Sequence, residues 1–594
     1  MLQRLFFLIL IFGWHSGFAQ NSVEQGESYY KNGAFNKALI IFENLTKEAP
    51  NSYNYNLRLI DIYQQLERYE DAENVIQKLI SYHPNPIMTI ILGYNFQLQG
   101  RIEKANKNYD AAIAFVDEKP NYIYSIARKF EDYSLLDKAI EVYKKGKLLT
   151  PDKDFTIQLA KIYADQGNVE LMFSNYIDYI EYNPGHINSI KRAISDFISE
   201  NRDNENNVYL RRQLLKKIQQ EPNIYWSEML SWLYVQEKAY NKSFIQEKAL
   251  YKRSQESFYR IIELASIAHN DNDDETAKTI YNFILESTQN VGALLSAHQS
   301  LLEIETNNAD DKMLPQIDET YNSLFEKYGK SEATLPLQLA YGKFLAFNAK
   351  DADAASKFLK TSLKLNISKF EEAEVKLLLA DILVLQEKFN EALIFYSQIQ
   401  AELKNSPIAQ EARFKVAKTS YYKGDFDWAE SQLKILKSST SQLIANDALD
   451  LKLLISDNKY EDSTQTDLKQ YAKADLFAYQ NKTDEAITLL DKILKEHKGE
   501  SITDETLFQQ AKLFEKQKQF SKAEANYLEI IKDYKEDILI DDAHYYLAQL
   551  YNTQLANSEK AKEHYERIIF DFQDSIYFIE ARRRFRMLRG DSIN

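Results

Sequence analysis

Small residues recur in pairs twelve positions apart along this chain. The pairs are Gly26/Ala38, Gly93/Ala105, Ala127/Ala139, Ala265/Ala277, Gly342/Ala354, Ala380/Ala392, Ala417/Ala429, Ala474/Ala486 and Ala511/Ala523, with Ala548/Ala561 one residue longer. Ile60/Ala72, Ala160/Met172 and Ser231/Ser243 are imperfect copies. Around each pair, apolar residues fall at helical spacing, so each unit reads as two amphipathic helices. A small residue on each helix lets the two backbones approach closely, where a large side chain would hold them apart. A fixed period of this kind means a solenoid: one helical pair cannot bury its own apolar face, and its neighbours complete the core.

The first copy reads Tyr29-Tyr30-Lys31-Asn32-Gly33-Ala34-Phe35-Asn36-Lys37-Ala38, followed by Phe42, Leu45 and Pro50. The second has Tyr63, Tyr69, Ala72, Ile76, Leu79 and Pro84 at positions shifted by 34. The Gly or Asn between the helices is expected to end the first one, and Pro follows the second because it cannot continue it. This pattern resembles the tetratricopeptide repeat family over roughly residues 20–590. The resemblance implies an all-α fold, an α-α superhelical solenoid of tetratricopeptide-type helix pairs whose first helices line a concave surface.

The period changes along the chain. From Ala38 to Met172 the steps are 34, 33, 34 and 33; from Ala354 they are 38, 37, 57, 37 and 38. The longer units are similar to those of cell-envelope tetratricopeptide proteins. The 57-residue step has room for an extra helix, about Leu443–Asp457, and a polar loop, Glu461–Asp467. Runs rich in Asn and Asp at Asn201–Asn207 and Asn307–Asp311 read as loops, because these side chains compete with the helix for backbone hydrogen bonds. The expected organisation is a leader at 1–19, an N-terminal array at 20–200, degenerate helical repeats at 201–330, a C-terminal array at 331–574, and a basic capping helix with its tail at 575–594.

Composition bounds the function. Only 15 Gly and 10 Pro occur in 594 residues, which fits long helices and disfavours a turn-rich β protein. Many of the 40 Tyr fall at repeat core positions, among them Tyr109, Tyr143, Tyr163, Tyr396, Tyr527 and Tyr551, so they read as packing. A net charge of −15 disfavours general binding to nucleic acid. Met1–Ala19 reads as a secretory signal: Arg4, an apolar run too short to span a bilayer, and a small-x-small site ending at Ala19. The expected location is therefore periplasmic or secreted. With no cysteine, thiol chemistry and a cysteine-linked lipid anchor are excluded.

No motif for catalysis, metal or cofactor emerges. The eight His are scattered without ligand spacing and read as surface or loop residues. Gly329-Lys330-Ser331 mimics the end of a phosphate loop, but Leu324 stands where the first Gly is required. The expectation is a non-catalytic scaffold that binds protein partners. The resemblance places Asn54, Gln64, Tyr94, Gln97, Tyr124, Arg128, Glu131, Lys161, Asp165 and Tyr421 on the groove, with Phe414, Lys418, Phe508, Lys512 and Tyr545 in equivalent C-terminal positions. A rival reading is a module associated with glycans, of polysaccharide export, uptake or peptidoglycan machinery, with exposed pairs such as Tyr421-Tyr422 stacking sugars.

The last helix, about Ser575–Leu588, carries an apolar stripe of Ile579, Phe585 and Leu588 beside Arg582, Arg583, Arg584, Arg586 and Arg589. It reads as a cap on the terminal unit, or as a basic patch for an acidic partner or membrane headgroups. The pairing of small residues makes a direct prediction. Ala139→Arg overpacks a helix crossing and lowers stability by at least roughly 1–3 kcal/mol, whereas Lys107→Ala leaves it unchanged; equal melting temperatures for the two variants contradict the repeat alignment.

Overall fold

The computed structural model describes residues 22–82, 84–254, 258–436, 441–459, 465–497 and 499–591. The segment read as a secretory signal lies outside them, as do His15 and His83. Among the described residues the secondary structure is helical and contains no strand. The chain divides into two units at Arg253 and Ser254, between the boundaries near 200 and 330 read from the sequence. Each unit is an α-α solenoid of helix hairpins, in which helices pack on their hairpin partners and on neighbouring hairpins.

The paired small residues sit where the two helices of a hairpin cross. Ala127, Ala139, Ala380, Ala392, Ala511 and Ala523 are fully buried. A Cβ on Gly93 would lie 2.6 Å from the Tyr109 ring and 3.1 Å from the Ala105 carbonyl oxygen, so only hydrogen fits there. The imperfect copies obey the same geometry: Ile60, Ala72, Ala160 and Met172 are fully buried, and the hydroxyls of Ser231 and Ser243 meet at 2.9 Å across the crossing.

One pair is displaced. Ala354 is half-buried, and Ala355 is the fully buried residue. The cause is a longer turn. In most hairpins a backbone N–H closes the turn on the carbonyl five residues earlier, as Arg101 does on Phe96 at 2.9 Å and Lys388 on Leu383 at 2.8 Å. In this hairpin Asp351 reaches back six residues to Leu345, and Asn557 does the same to Tyr551, both at 2.8 Å. The extra residue that is visible in Ala548/Ala561 is therefore also present here.

The turns correct a second expectation. Thirteen hairpins among the described residues place a left-handed residue at the same register before the second helix, whereas the turn between Val291–Asn307 and Leu314–Tyr328 has none. Gly33, Gly100, Gly167 and Gly424 supply it in four hairpins, and Asn272 and Asn481 in two. In the others it is Glu67, Ser134, Lys238, Lys350, Glu387, Lys518 or Ala556, all with φ between 48° and 60°. Helix crossing and turn length dictate this conformation, whatever residue is present. A non-glycine residue there carries strain on the order of 1 kcal/mol.

The loops shift in detail. Asn201–Asn207 was expected to be loop throughout, yet the helix Glu205–Gln220 begins inside it, with the Asn204 side chain accepting from the Asn206 N–H. Asn207 is fully buried and bonds Ser199 and Glu237. The helix Val291–Asn307 ends where expected. The extra helix of the long step is Gln442–Asn458. The loop expected at Glu461–Asp467 ends earlier, because Thr466 starts a helix and Asp467 is buried in it; positions 461–464 lie outside the described residues.

The core absorbs the tyrosines as expected: Tyr109, Tyr143, Tyr163, Tyr396, Tyr527 and Tyr551 are all buried. It also absorbs two histidines read as surface residues. His544 and His564 are buried with their Nδ1 atoms 2.9 Å apart, and burial lowers the His544 pKa to about 4. The last helix, Phe578–Arg589, caps the second unit through Ala581, Phe585 and Leu588, while Ile579 is 81% exposed and stands outside the stripe.

The strained turns carry a prediction. Lys518 is exposed with φ of 60°. Lys518→Gly raises stability by roughly 0.5 kcal/mol, the left-handed penalty outweighing the added freedom of the unfolded chain. Denaturant unfolding reads the shift, and a loss of stability counts against turn strain.

Candidate interaction groove

In the first unit the candidate side chains divide by their partners. Asn54, Tyr124, Arg128, Lys161 and Asp165 are exposed. Arg128 and Asp165 both act electrostatically on Glu131, so successive first helices bring these three together. Tyr94 stacks on Tyr133 with ring centroids 4.0 Å apart and planes 7° from parallel. Gln64 is buried and donates to Asn95 Oδ1 at 3.4 Å, which removes it from the groove. Gln97 and Glu131 accept the hydroxyls of Tyr109 and Tyr143 at 2.9 and 3.0 Å. Their first role is to satisfy buried phenols, since a buried polar group without a partner is costly.

The second unit shows that Tyr421 was misplaced. It is fully buried, packed against Phe426, and its hydroxyl has no hydrogen-bond partner among the described residues. Tyr422 is only partly accessible and tilts against Tyr421. This pair cannot stack sugars. Tyr545 also faces inward, stacked on Tyr577 at 4.1 Å, and its neighbour Tyr546 takes the groove position.

Phe414, Lys418, Phe508 and Lys512 do converge, on a groove of about 560 Å³. Four first helices contribute: Pro407–Lys423, Thr466–Tyr479, Ile502–Lys516 and Ile540–Thr553. The inserted helix Gln442–Asn458 forms a further side, with Asp447, Asp450, Leu454 and Asp457. Its C-terminal end is pinned from two directions. Buried Asn458 donates to Glu505 Oε1 at 3.1 Å and accepts from Ser501. Lys459, also buried, reaches Asp427 at 2.7 Å and Glu430 at 2.8 Å.

Charge in the groove is uneven. Lys418 Nζ lies 2.6 Å from Asp475 and over the Tyr421 ring at 4.9 Å. Lys512 lies over the rings of Phe508 and Tyr546 at 4.5 and 4.6 Å. Burial raises Asp542 to about 6, against the opposing hydrogen bond from the Tyr577 hydroxyl at 2.7 Å. Burial also raises Asp450, with neighbouring Asp447 adding to the effect. Glu505 is pushed up furthest, by burial and by the adjacent Asp504 carboxyl. The sequence reading missed these acids because they belong to the inserted helix or to positions scattered over four repeats. The 57-residue step was the available signal.

Glu505 therefore opposes folding once it ionises. With its pKa raised in the folded state, its stabilising contribution is full below the ordinary glutamate range and is lost as pH rises. Glu505→Gln keeps an acceptor for Asn458 and removes that liability. The variant gains at least about 1 kcal/mol over the parent at pH 8, since each tenfold change in proton affinity between the folded and unfolded chain is worth that much, and the gain shrinks at pH 5. Urea unfolding at both pH values checks this; an equal or reversed difference contradicts the assignment.

Family models described as tetratricopeptide repeat match residues 29–88 and 505–537. The chain is 21% identical over 285 residues to the TPR repeat-containing protein YpiA of Bacillus subtilis (strain 168), covering 47% of this chain and 66% of that protein. It is 22% identical over 162 residues to the human protein O-mannosyl-transferase TMTC1, covering 26% of this chain and 18% of that protein. The chain thus spans less than two thirds of either relative. Among solved structures it is similar to a chain of Naa15/Naa10 bound to HypK-THB, at 12% identity and a TM-score of 0.31, covering 96% of this chain and 97% of that one. A chain of the APC/C hetero-tetramer Cut9-Hcn1 aligns at 12% identity and a TM-score of 0.22, covering 95% of each. With small residues buried at the crossings, a left-handed residue in most hairpin turns and a family-model match in each unit, the chain carries tetratricopeptide repeats.

Proposed function

We propose that this protein is a non-catalytic scaffold of the bacterial cell envelope that holds protein partners along the faces of its first helices. The observation that carries this reading is the groove of the second unit. Four successive repeats and an inserted helix bring aromatic, acidic and lysine side chains to one surface of about 560 Å³. Aromatic anchors beside directional charge are what a protein interface uses. The envelope location rests on the leader read in Met1–Ala19 and on the similarity of the long repeats to those of envelope proteins.

The glycan reading loses its specific support with the burial of Tyr421. The arginine patch is also weaker than its composition implied. Glu580 holds Arg583 and Arg584 at 2.7 Å, and Asp591 pairs with Arg586 and Arg589. The patch serves first as a self-paired cap, with exposed Arg582 its freest member.

Photoreactive residues at Arg128 and Gln509 test the scaffold in cells. Each is expected to yield discrete crosslinked species, with Lys107 as the control on a second helix. Crosslinking no stronger than that control sinks the scaffold reading. Fractionation with N-terminal sequencing is expected to find the protein in the envelope, beginning at Gln20; a cytoplasmic chain retaining Met1 sinks the location.

A further inference from the structure

The groove of the second unit already holds two cations of its own, and these show how it binds charge. The Lys512 ammonium lies against the Phe508 and Tyr546 rings and acts on the carboxyls of Asp450 and Asp542. The Lys418 ammonium lies over Tyr421 and bonds Asp475. Lys418 thus sits between an aromatic face and a carboxylate, an arrangement that favours a partly desolvated cation, and Lys512 adds two aromatic faces.

These two lysines do not balance the acids around them. Asp447, Asp450, Asp457, Asp475 and Asp542 all line the same groove, beside a Glu505 that burial holds toward its neutral form. Asp447 and Asp450 stand three residues apart, on one face of the inserted helix. No ion pair among the described residues reaches either one. The second carboxyl oxygen of Glu505 is buried and meets no hydrogen-bond partner among the described residues. Asp450 is exposed and Asp542 half-buried, and partial desolvation raises both carboxyls against the opposing pull of Lys512.

The geometry points to a docking site for a cationic segment of a partner protein, one carrying lysine or arginine beside apolar side chains. The apolar residues pack on Phe414, Leu454 and Phe508, and the cations meet Asp447, Asp450 and Asp542. A polyanion is the wrong occupant: the same carboxylates repel a phosphate backbone or an anionic headgroup. This assignment rests on the scaffold reading and narrows it to partner chemistry at one place.

The test uses the full chain and a fluorescein-labelled peptide of lysine, arginine and leucine. One comparison peptide has its basic residues replaced by glutamate, and another has its leucines replaced by serine. Anisotropy is expected to show saturable binding of the basic apolar peptide, weakened by added salt, and much weaker binding of both comparison peptides. The D447N/D450N/D542N variant is expected to lose roughly tenfold or more in affinity. A variant with Glu70, Glu103 and Glu118 changed to Gln loses as much net charge outside the groove, and is expected to bind as the parent does. Helical circular dichroism confirms that both variants fold.

Equal affinity of the groove variant and the parent overturns the proposal, as do equal losses in the two variants or the absence of saturable binding. The scaffold reading stands or falls separately. If the Gln509 photoprobe captures the same partner from parent and from D447N/D450N/D542N chains, the cationic site is wrong and the scaffold survives. If neither Gln509 nor Arg128 captures anything beyond the control, the scaffold reading itself fails.

Discussion

Two helices stack at close range most readily where a small residue stands at the crossing, and the rest of this protein follows from that constraint. At Gly93 even a methyl group would collide with the Tyr109 ring. At Ser231 and Ser243 the space admits two hydroxyls because they bond each other. Once the crossing is set, the turn must reverse the chain within a few residues, and one residue must enter the left-handed region. Residues as ill-suited as Glu387 and Ala556 accept it. Burial of the neighbouring hairpin faces outweighs a local strain of about 1 kcal/mol per turn.

Stacked hairpins rich in tyrosine raise a second requirement. A buried ring brings a hydroxyl with it, and the hydroxyl needs a partner. The chain supplies acceptors from helices nearby: Gln97 for Tyr109, Glu131 for Tyr143, Glu515 for Tyr527 and Asp381 for Tyr396. Several polar residues at groove positions are therefore committed to the core, which narrows what the surface can offer a partner. Tyr421, buried with its hydroxyl unpaired among the described residues, is an exception.

The proposed docking site lies where the repeat is interrupted. The inserted helix Gln442–Asn458 breaks the period, brings acids to the faces of the first helices, and is locked there by Asn458 and Lys459. A regular stack presents similar side chains repeat after repeat. An added element gives one stretch of the groove its own charge and shape, and such a local departure is what can make a scaffold selective.

The sequence by itself determined most hairpin crossings, the burial of most tyrosines and the presence of an extra helix, because small residues and helical periodicity are local signals that survive in most copies. It misjudged Ala354 by one position, since turn length was decided by the bond from Asp351 to Leu345. It misjudged Gln64 and Tyr421, since groove position does not reveal which way a side chain is drawn by a neighbouring repeat. It read His544 and His564 as surface residues because nothing in one dimension pairs two histidines twenty residues apart. Only the tertiary structure assembled Lys418, Asp450, Glu505 and Asp542 on one groove. These residues come from separate repeats, and packing, acting across distances that periodicity does not encode, made them neighbours.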